Sequence, residues 1–207
     1  DTISPQYVAD LVAWGAIGAR TTESQMHREL ASGLSMPVGF KNGTGGNIKI
    51  AVDAIKSAQS SHHFLSVKKS GTTAIVKTKG NDSCHVILRG GAKGPNFDEE
   101  NVASTIELLN QAGMPPHVMI DCSHGNSEKD HKKQPLVAEK LAKRIASGDR
   151  HIVAVMIESH LKEGNQPLKD PTNLEYGVSV TDACVNWDTT VEMLDGLAQS
   201  VRLRRDN

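Results

Sequence analysis

Aromatic side chains are scarce in this sequence: two tryptophans, two tyrosines and three phenylalanines make up 3% of its 207 residues. Stacking platforms for single-stranded nucleic acid depend on exposed rings and are not expected here. A surplus of one charge is lacking too, since 23 Lys and Arg stand against 24 Asp and Glu, for a formal net charge of −1. Nucleic acid and anionic membrane surfaces select for a basic face, so neither is indicated as a partner. The three cysteines, Cys84, Cys122 and Cys184, are too few and too scattered for a disulfide framework or a paired-thiolate zinc site. That usage points to a reducing, cytoplasmic compartment. There is no apolar run of about 18 residues, which excludes an obvious membrane-spanning helix.

What is present is enough ordinary apolar sequence for one core, and residues 1–207 are read as a single domain. The apolar residues gather in short runs that end in functional side chains. His117 to Asn126 runs His-Val-Met-Ile-Asp-Cys-Ser-His-Gly-Asn, an apolar strand that delivers His124. Gly15 to Arg20 and Val86 to Arg89 end in arginine, Val38 to Lys41 ends in lysine, and the run from Ile152 to Ser159 carries Glu158 near its end. Near-continuous apolar runs suit strands covered on both faces in a parallel sheet, whose C-terminal ends carry chemistry.

Between these runs the apolar spacing is helical. Ser4-Pro5 opens a short helix with Val8, Leu11 and Val12 on one face, and Thr22 caps a helix running to Leu34. Further helices follow Asn47, Asp98 and Pro135, and the last opens on a capping box, Thr189 to Glu192, with Leu194, Leu197, Ala198 and Val201 facing inward. Residues from about 62 to 80 break the pattern and read as an inserted β-hairpin around Lys69-Ser70-Gly71. The polar stretch Glu163 to Asp182 is too long for a simple connection and is read as a functional loop. Five strand-then-helix units leave two candidates, a doubly wound sheet and a (β/α)8 barrel. Functional residues at every strand end favour the TIM barrel.

Arg20, Lys41 and Arg89 would put three cations in one cleft, which calls for an anion such as a phosphorylated acid. The plainer alternative is that each pairs with a structural carboxylate. His124, Glu158 and Asp182 offer an imidazole and two carboxylates, a set that suits a divalent transition metal such as Mn, Fe, Co or Zn. Cys122 and Cys184 read as inert buried thiols, and His131, like four other histidines, as solvated or structural. The turn Asn42-Gly43-Thr44-Gly45-Gly46 matches neither the Rossmann nor the Walker pattern.

Taken together, Gly15 to Ser24, Pro37 to Thr44, Ile87 to Gly91, Asp121 to Asn126 and Val155 to Ser159 resemble type I 3-deoxy-D-arabino-heptulosonate 7-phosphate (DAHP) synthase. The resemblance implies a (β/α)8 TIM barrel that condenses phosphoenolpyruvate with erythrose 4-phosphate at the entry to aromatic amino-acid synthesis. It places the phosphoenolpyruvate phosphate against Ala19, Arg20, Lys41 and Arg89, gives Lys41 and His124 catalytic roles, and makes His124, Glu158 and Asp182 metal ligands. It also implies a homo-oligomer when complete, and an aromatic amino-acid effector at Pro5, Gln6, Ser35 and Phe64. Gly45 stands where the family usually has aspartate. The family's metal-binding cysteine and its Lys-Pro-Arg-Thr-Thr segment fall before the position matching Asp1. The chain is therefore expected to supply about the last five strand-helix units of the barrel and to be inactive alone. A remnant that binds a phosphorylated metabolite without turnover is the alternative.

Overall fold

The computed structural model describes residues 2–206. Strands are numbered in chain order: β1 (Gly15–Ile17), β2 (Val38–Lys41), β3 (His63–Val67), β4 (Thr73–Lys77), β5 (His85–Leu88), β6 (Val118–Asp121) and β7 (Ile152–Met156). Five of them form one all-parallel sheet in the order β1-β2-β5-β6-β7. Every strand pairs with its predecessor in that sheet and the order never reverses. Among the described residues, the sheet thus shows no switch point of the doubly wound kind. β3 and β4 pair antiparallel as a separate hairpin, as the sequence suggested.

The helices are α1 (Pro5–Val8), α2 (Gln25–Ser32), α3 (Lys49–Ala58), α4 (Glu99–Gln111), α5 (Gln134–Ala146) and α6 (Trp187–Asp206). Side chains alternate across a strand, so each strand divides its residues between two faces. Val38 and Phe40 of β2, Val86 and Leu88 of β5, and Val118 and Ile120 of β6 join the helices in the main core. Ala51, Ile55, Leu109 and Leu141 meet them from α3, α4 and α5. The intervening residues share the opposite face: Gly39 and Lys41, Ile87 and Arg89, Met119 and Asp121. Gly39 makes room there, since a Cβ on it would stand 2.5 Å from Ile87 Cδ1 and force that side chain to move.

β7 obeys the same logic through an irregularity. Its register jumps from Val118↔Ile152 to Met119↔Ala154, leaving Val153 as the extra residue of a β-bulge. The bulge reverses the alternation: Ile152 faces the helix-side core, and so do Val155 and Ile157 beyond it. Glu158 thereby falls on the face that carries Lys41, Arg89 and Asp121. Without the extra residue it would point among the helices.

Several helix ends differ from the sequence reading. α1 is only four residues long, followed by a 3-10 turn at Ala9–Leu11, and Val8 and Leu11 are 51% and 87% exposed rather than buried. One turn is too short to hold an apolar stripe against a core. α2 begins at Gln25, because Thr22 is engaged elsewhere: its hydroxyl donates to the carbonyls of Gly18 (3.0 Å) and Lys41 (2.7 Å). α6 begins at Trp187 and is capped by Asn186, whose Oδ1 accepts from Thr189 N at 2.8 Å, so the Thr189 capping box does not form. Leu197 is buried as expected, but Leu194 is exposed, and Met193 takes an inward place instead. Asp98 caps α4 as anticipated, accepting from Asn101 N at 2.9 Å. Among the described residues no helix is long and apolar enough to cross a membrane.

Candidate active site and metal centre

The C-terminal ends of β2, β5, β6 and β7 bring the candidate residues together. Lys41, the last residue of β2, reaches across to Asp121, the last of β6, with Nζ 2.9 Å from Oδ2. Arg89 follows β5 and is only 9% exposed. No described residue gives its guanidinium a hydrogen bond or an ion pair; its backbone N–H donates to Asn42 Oδ1 at 2.9 Å. The plain carboxylate-partner explanation thus holds for Lys41 and fails for Arg89. The Arg89 side chain is thus largely buried while its guanidinium keeps solvent contact and has no counter-charge among the described residues, which leaves its fork free to meet an anion. Ala19 and exposed Arg20 lie beyond β1 in a turn that the Thr22 to Lys41 hydrogen bond pins to the end of β2.

The backbone around Arg89 is locked by buried asparagines. Asn42 Nδ2 donates to the carbonyl of Gly90 (2.9 Å), Asn96 Oδ1 accepts from Gly90 N (2.7 Å), and Asn126 Oδ1 accepts from Asn96 N (2.8 Å). Asn126 Nδ2 returns to the carbonyls of Leu88 and Asp121. Gly90 makes this convergence sterically feasible, since at φ 74° it lies against Gly125, and a Cβ there would be 2.4 Å from the Gly125 carbonyl carbon. Sequence reasoning saw Asn42 only as a turn residue and attached no role to Asn96.

His124 sits three residues past β6 in a left-handed conformation, φ 53°. That strain is held by Lys129 N donating to the His124 carbonyl (2.7 Å) and by Gly125 N donating to the Arg89 carbonyl (2.9 Å). Its Nδ1 stands 2.9 Å from Asp121 Oδ2 and 2.7 Å from Ser123 Oγ. A carboxylate at Nδ1 fixes the proton there and leaves the Nε2 lone pair outward. Nε2 lies 3.6 Å from Asp182 Oδ2 and 4.0 Å from Glu158 Oε1. Donors about 2.1 Å from one ion in tetrahedral array stand about 3.4 Å apart, so the three groups fit a shared divalent cation. One ligand atom from each lies within 4.8 Å of the others.

Each ligand has its own support. Gln134, fully buried, clamps Glu158 through both main-chain groups, donating from Nε2 to its carbonyl (3.1 Å) and accepting from its N–H (2.9 Å). Burial raises the Glu158 carboxyl above its ordinary value, with the nearby imidazole opposing that shift. Asp182 comes from the long loop, which bridges Gly164 to Cys184 and Asn165 to Ser179. For Asp121, burial works toward a higher pKa, yet the hydrogen bond from His124 and the charge of Lys41 prevail and hold it at about 2. Asp121 was not singled out from the sequence, although a carboxylate closing an apolar strand was a signal in plain view.

The three cysteines are buried, and burial pushes the Cys84 and Cys122 thiols up to about 12. Cys84 and Cys122 sit in the apolar core, whereas Cys184 Sγ lies 3.5 Å from the Asp182 carbonyl oxygen. His131 is not solvated: its Nε2 is buried and faces Glu163 Oε2 at 3.6 Å. A groove of about 1030 Å³ between α4 and α5 includes Arg150 and His151 just before β7, at the wrong end of the strands for this chemistry. A separate cavity of about 320 Å³ lies between α1, α2 and the hairpin. Pro5, Gln6 and Phe64 line it together with Leu30, Leu34 and Val76, and Gln6 Nε2 is buried there without a hydrogen-bond partner among the described residues. Ser35 is exposed beside Leu34 and does not line it.

A parallel α/β sheet thus carries, at its strand ends, an arginine with no described side-chain partner and an imidazole-dicarboxylate cluster, an arrangement with the donors to hold an anion and a divalent cation. A profile of the DAHP synthetase I family matches residues 1–195, and the chain belongs to that family. A Phe-sensitive phospho-2-dehydro-3-deoxyheptonate aldolase from Escherichia coli is 58% identical over 99% of the chain and 58% of its own length. A tyrosine-inhibited one from Schizosaccharomyces pombe is 56% identical over 100% and 57% respectively. The solved structure of a phospho-2-dehydro-3-deoxyheptonate aldolase from Francisella tularensis superimposes with a TM-score of 0.94 at 57% identity, covering 99% of this chain and 59% of that one. The chain thus spans a little more than half the length of these relatives.

Proposed function

We propose that this chain is part of a DAHP synthase, joining phosphoenolpyruvate to erythrose 4-phosphate with release of phosphate. The observation that carries this reading is Arg89, largely buried and without a side-chain partner among the described residues, on the same sheet face as the His124, Glu158 and Asp182 cluster, so that a free guanidinium fork and a set of metal-type donors stand together. The sheet is read as five strands of an eight-stranded barrel, in keeping with its unreversed strand order and its edges at β1 and β7. Residues 1–207 then form one portion of a TIM-barrel domain with the hairpin as an insertion.

Arg89 and Arg20 hold the phosphate of phosphoenolpyruvate, with the Ala19 backbone beside them, and Lys41 reaches the phosphate and the carboxylate. The enol carbon attacks the aldehyde carbon, water adds at the neighbouring carbon, and the carbon-oxygen bond to phosphate breaks. The cations act by positioning the substrate and by stabilising charge on the departing phosphate. A divalent transition metal held by His124, Glu158 and Asp182 would polarise the aldehyde or orient the water. The metal triad preserved beside the anion site favours turnover over a non-catalytic remnant.

The test is phosphate release by the complete protein with both substrates. Turnover should be abolished by a chelator and restored by Mn²⁺ or Co²⁺. Unchanged turnover in metal-free protein, or no turnover with metal supplied, overturns the reading.

The cavity at Pro5, Gln6 and Phe64 is read as an effector site for an aromatic amino acid, with Ser35 at its margin. The apolar lining accepts a ring, and the unpartnered Gln6 amide offers a donor to a carboxylate. One of phenylalanine, tyrosine and tryptophan should inhibit the complete enzyme; inhibition by none of them counts against this assignment.

A further inference from the structure

A single buried oxygen joins the two halves of the site. Asp121 is fully buried, and its Oδ2 is 2.9 Å from Lys41 Nζ and 2.9 Å from His124 Nδ1. Its other oxygen, Oδ1, accepts from Ser123 N (2.9 Å) and Ser123 Oγ (2.5 Å), which fixes the carboxylate plane. Lys41 belongs to the anion side and His124 to the metal side. They come from strands separated by β5, and their contacts converge on this one atom. We propose that Asp121 is a positioning residue that couples phosphoenolpyruvate binding to metal binding, by sharing Oδ2 between Lys41 and His124. This inference rests on the functional reading above.

The direction of coupling follows from competition for one oxygen. While Lys41 leans on Oδ2, it draws negative charge away from the imidazole. A substrate anion that attracts Lys41 leaves Oδ2 to His124, and a carboxylate-bonded imidazole is the stronger metal donor through Nε2. In the other direction, a cation at Nε2 makes Nδ1–H a better donor to Oδ2, which loosens Lys41 toward the substrate. Linkage requires the two effects to be equal, so each ligand tightens the other by the same factor. Direct attraction between the substrate's charge and the cation also couples the sites, but it does not require Asp121.

The experiment is Mn²⁺ titration of the complete protein with and without saturating phosphoenolpyruvate, by calorimetry, in wild type and Asp121→Asn. The amide is isosteric and cannot carry the carboxylate's charge. In the wild type, phosphoenolpyruvate should tighten Mn²⁺ binding about fivefold or more. In Asp121→Asn, Mn²⁺ should bind about 10 to 100-fold more weakly, and the enhancement should fall to the smaller factor that direct charge attraction alone supplies. Enhancement of the wild-type size in the variant overturns the proposal while leaving the functional reading intact. A wild type that binds neither ligand overturns the functional reading and this inference with it. A measurement that needs no variant guards against a misfolded one. In metal-free wild type labelled with ¹⁵N-histidine, the His124 Nδ1–H resonance should move when phosphoenolpyruvate binds; a stationary resonance overturns the coupling.

Discussion

Replacing Arg89 with alanine is expected to weaken phosphoenolpyruvate binding by about 3 kcal/mol, roughly a hundredfold, with little loss of fold. The magnitude follows from a charged fork that can give two charge-assisted hydrogen bonds to one anion, each contributing about 1.5–3 kcal/mol. Little stability should be lost, because no described residue bonds to the guanidinium and its backbone stays pinned by Asn42. Arg202→Ala on the exposed side of α6 is the matched control and should leave the affinity unchanged. Calorimetric titration of phosphoenolpyruvate into both variants decides the matter, and equal affinities would place the anion elsewhere. A lysine substitution at position 89 should recover only part of the loss, since an ammonium keeps the charge but not the fork.

The strands were legible because each is an apolar run ending in a charged or imidazole side chain, a pattern that needs no partner to be recognised. Lys41 and Arg89, read from the sequence as lining one cleft, fall on the same face of the neighbouring strands β2 and β5, because each stands on the same alternation phase as its strand's inner residues. Glu158 was found at its strand end, but the Val153 bulge that aims it was not legible, since a bulge is defined by the neighbouring strand's register. Asp121 was passed over for a similar reason: its meaning depends on Lys41, 80 positions earlier, arriving beside it across β5. Local signals misled at helix starts, where Thr22 and Thr189 had the right chemistry for capping. Tertiary demands decided otherwise, as Thr22 ties two strand-end loops together and Asn186 takes the cap of α6. The apolar spacing of Val8, Leu11 and Val12 did not produce a buried face, because spacing specifies a stripe only when the helix is long enough to present one.

His124→Ala is expected to weaken binding of a divalent metal at least about a hundredfold and to lower kcat in proportion, while costing little stability. The ligand loss is direct, since Nε2 is the only imidazole nitrogen in the triad with Asp182 and Glu158. The stability argument concerns what the missing ring leaves behind. Asp121 remains buried but still has Lys41 Nζ, Ser123 N and Ser123 Oγ as donors, so no orphaned carboxylate is created. The backbone adds a second comparison. At φ 53° a residue with a Cβ carries strain of about 1 kcal/mol or more, which alanine retains and glycine escapes. His124→Gly should therefore unfold at higher denaturant concentration than His124→Ala, although both bind metal poorly and turn over slowly. A loss of activity that merely tracked unfolding would follow the order of stability and favour the glycine variant. Equal inactivity in two proteins of unequal stability, read from denaturant midpoints and Mn²⁺ titrations side by side, identifies the imidazole itself as the functional group. A fully active variant of either kind would remove His124 from the metal centre.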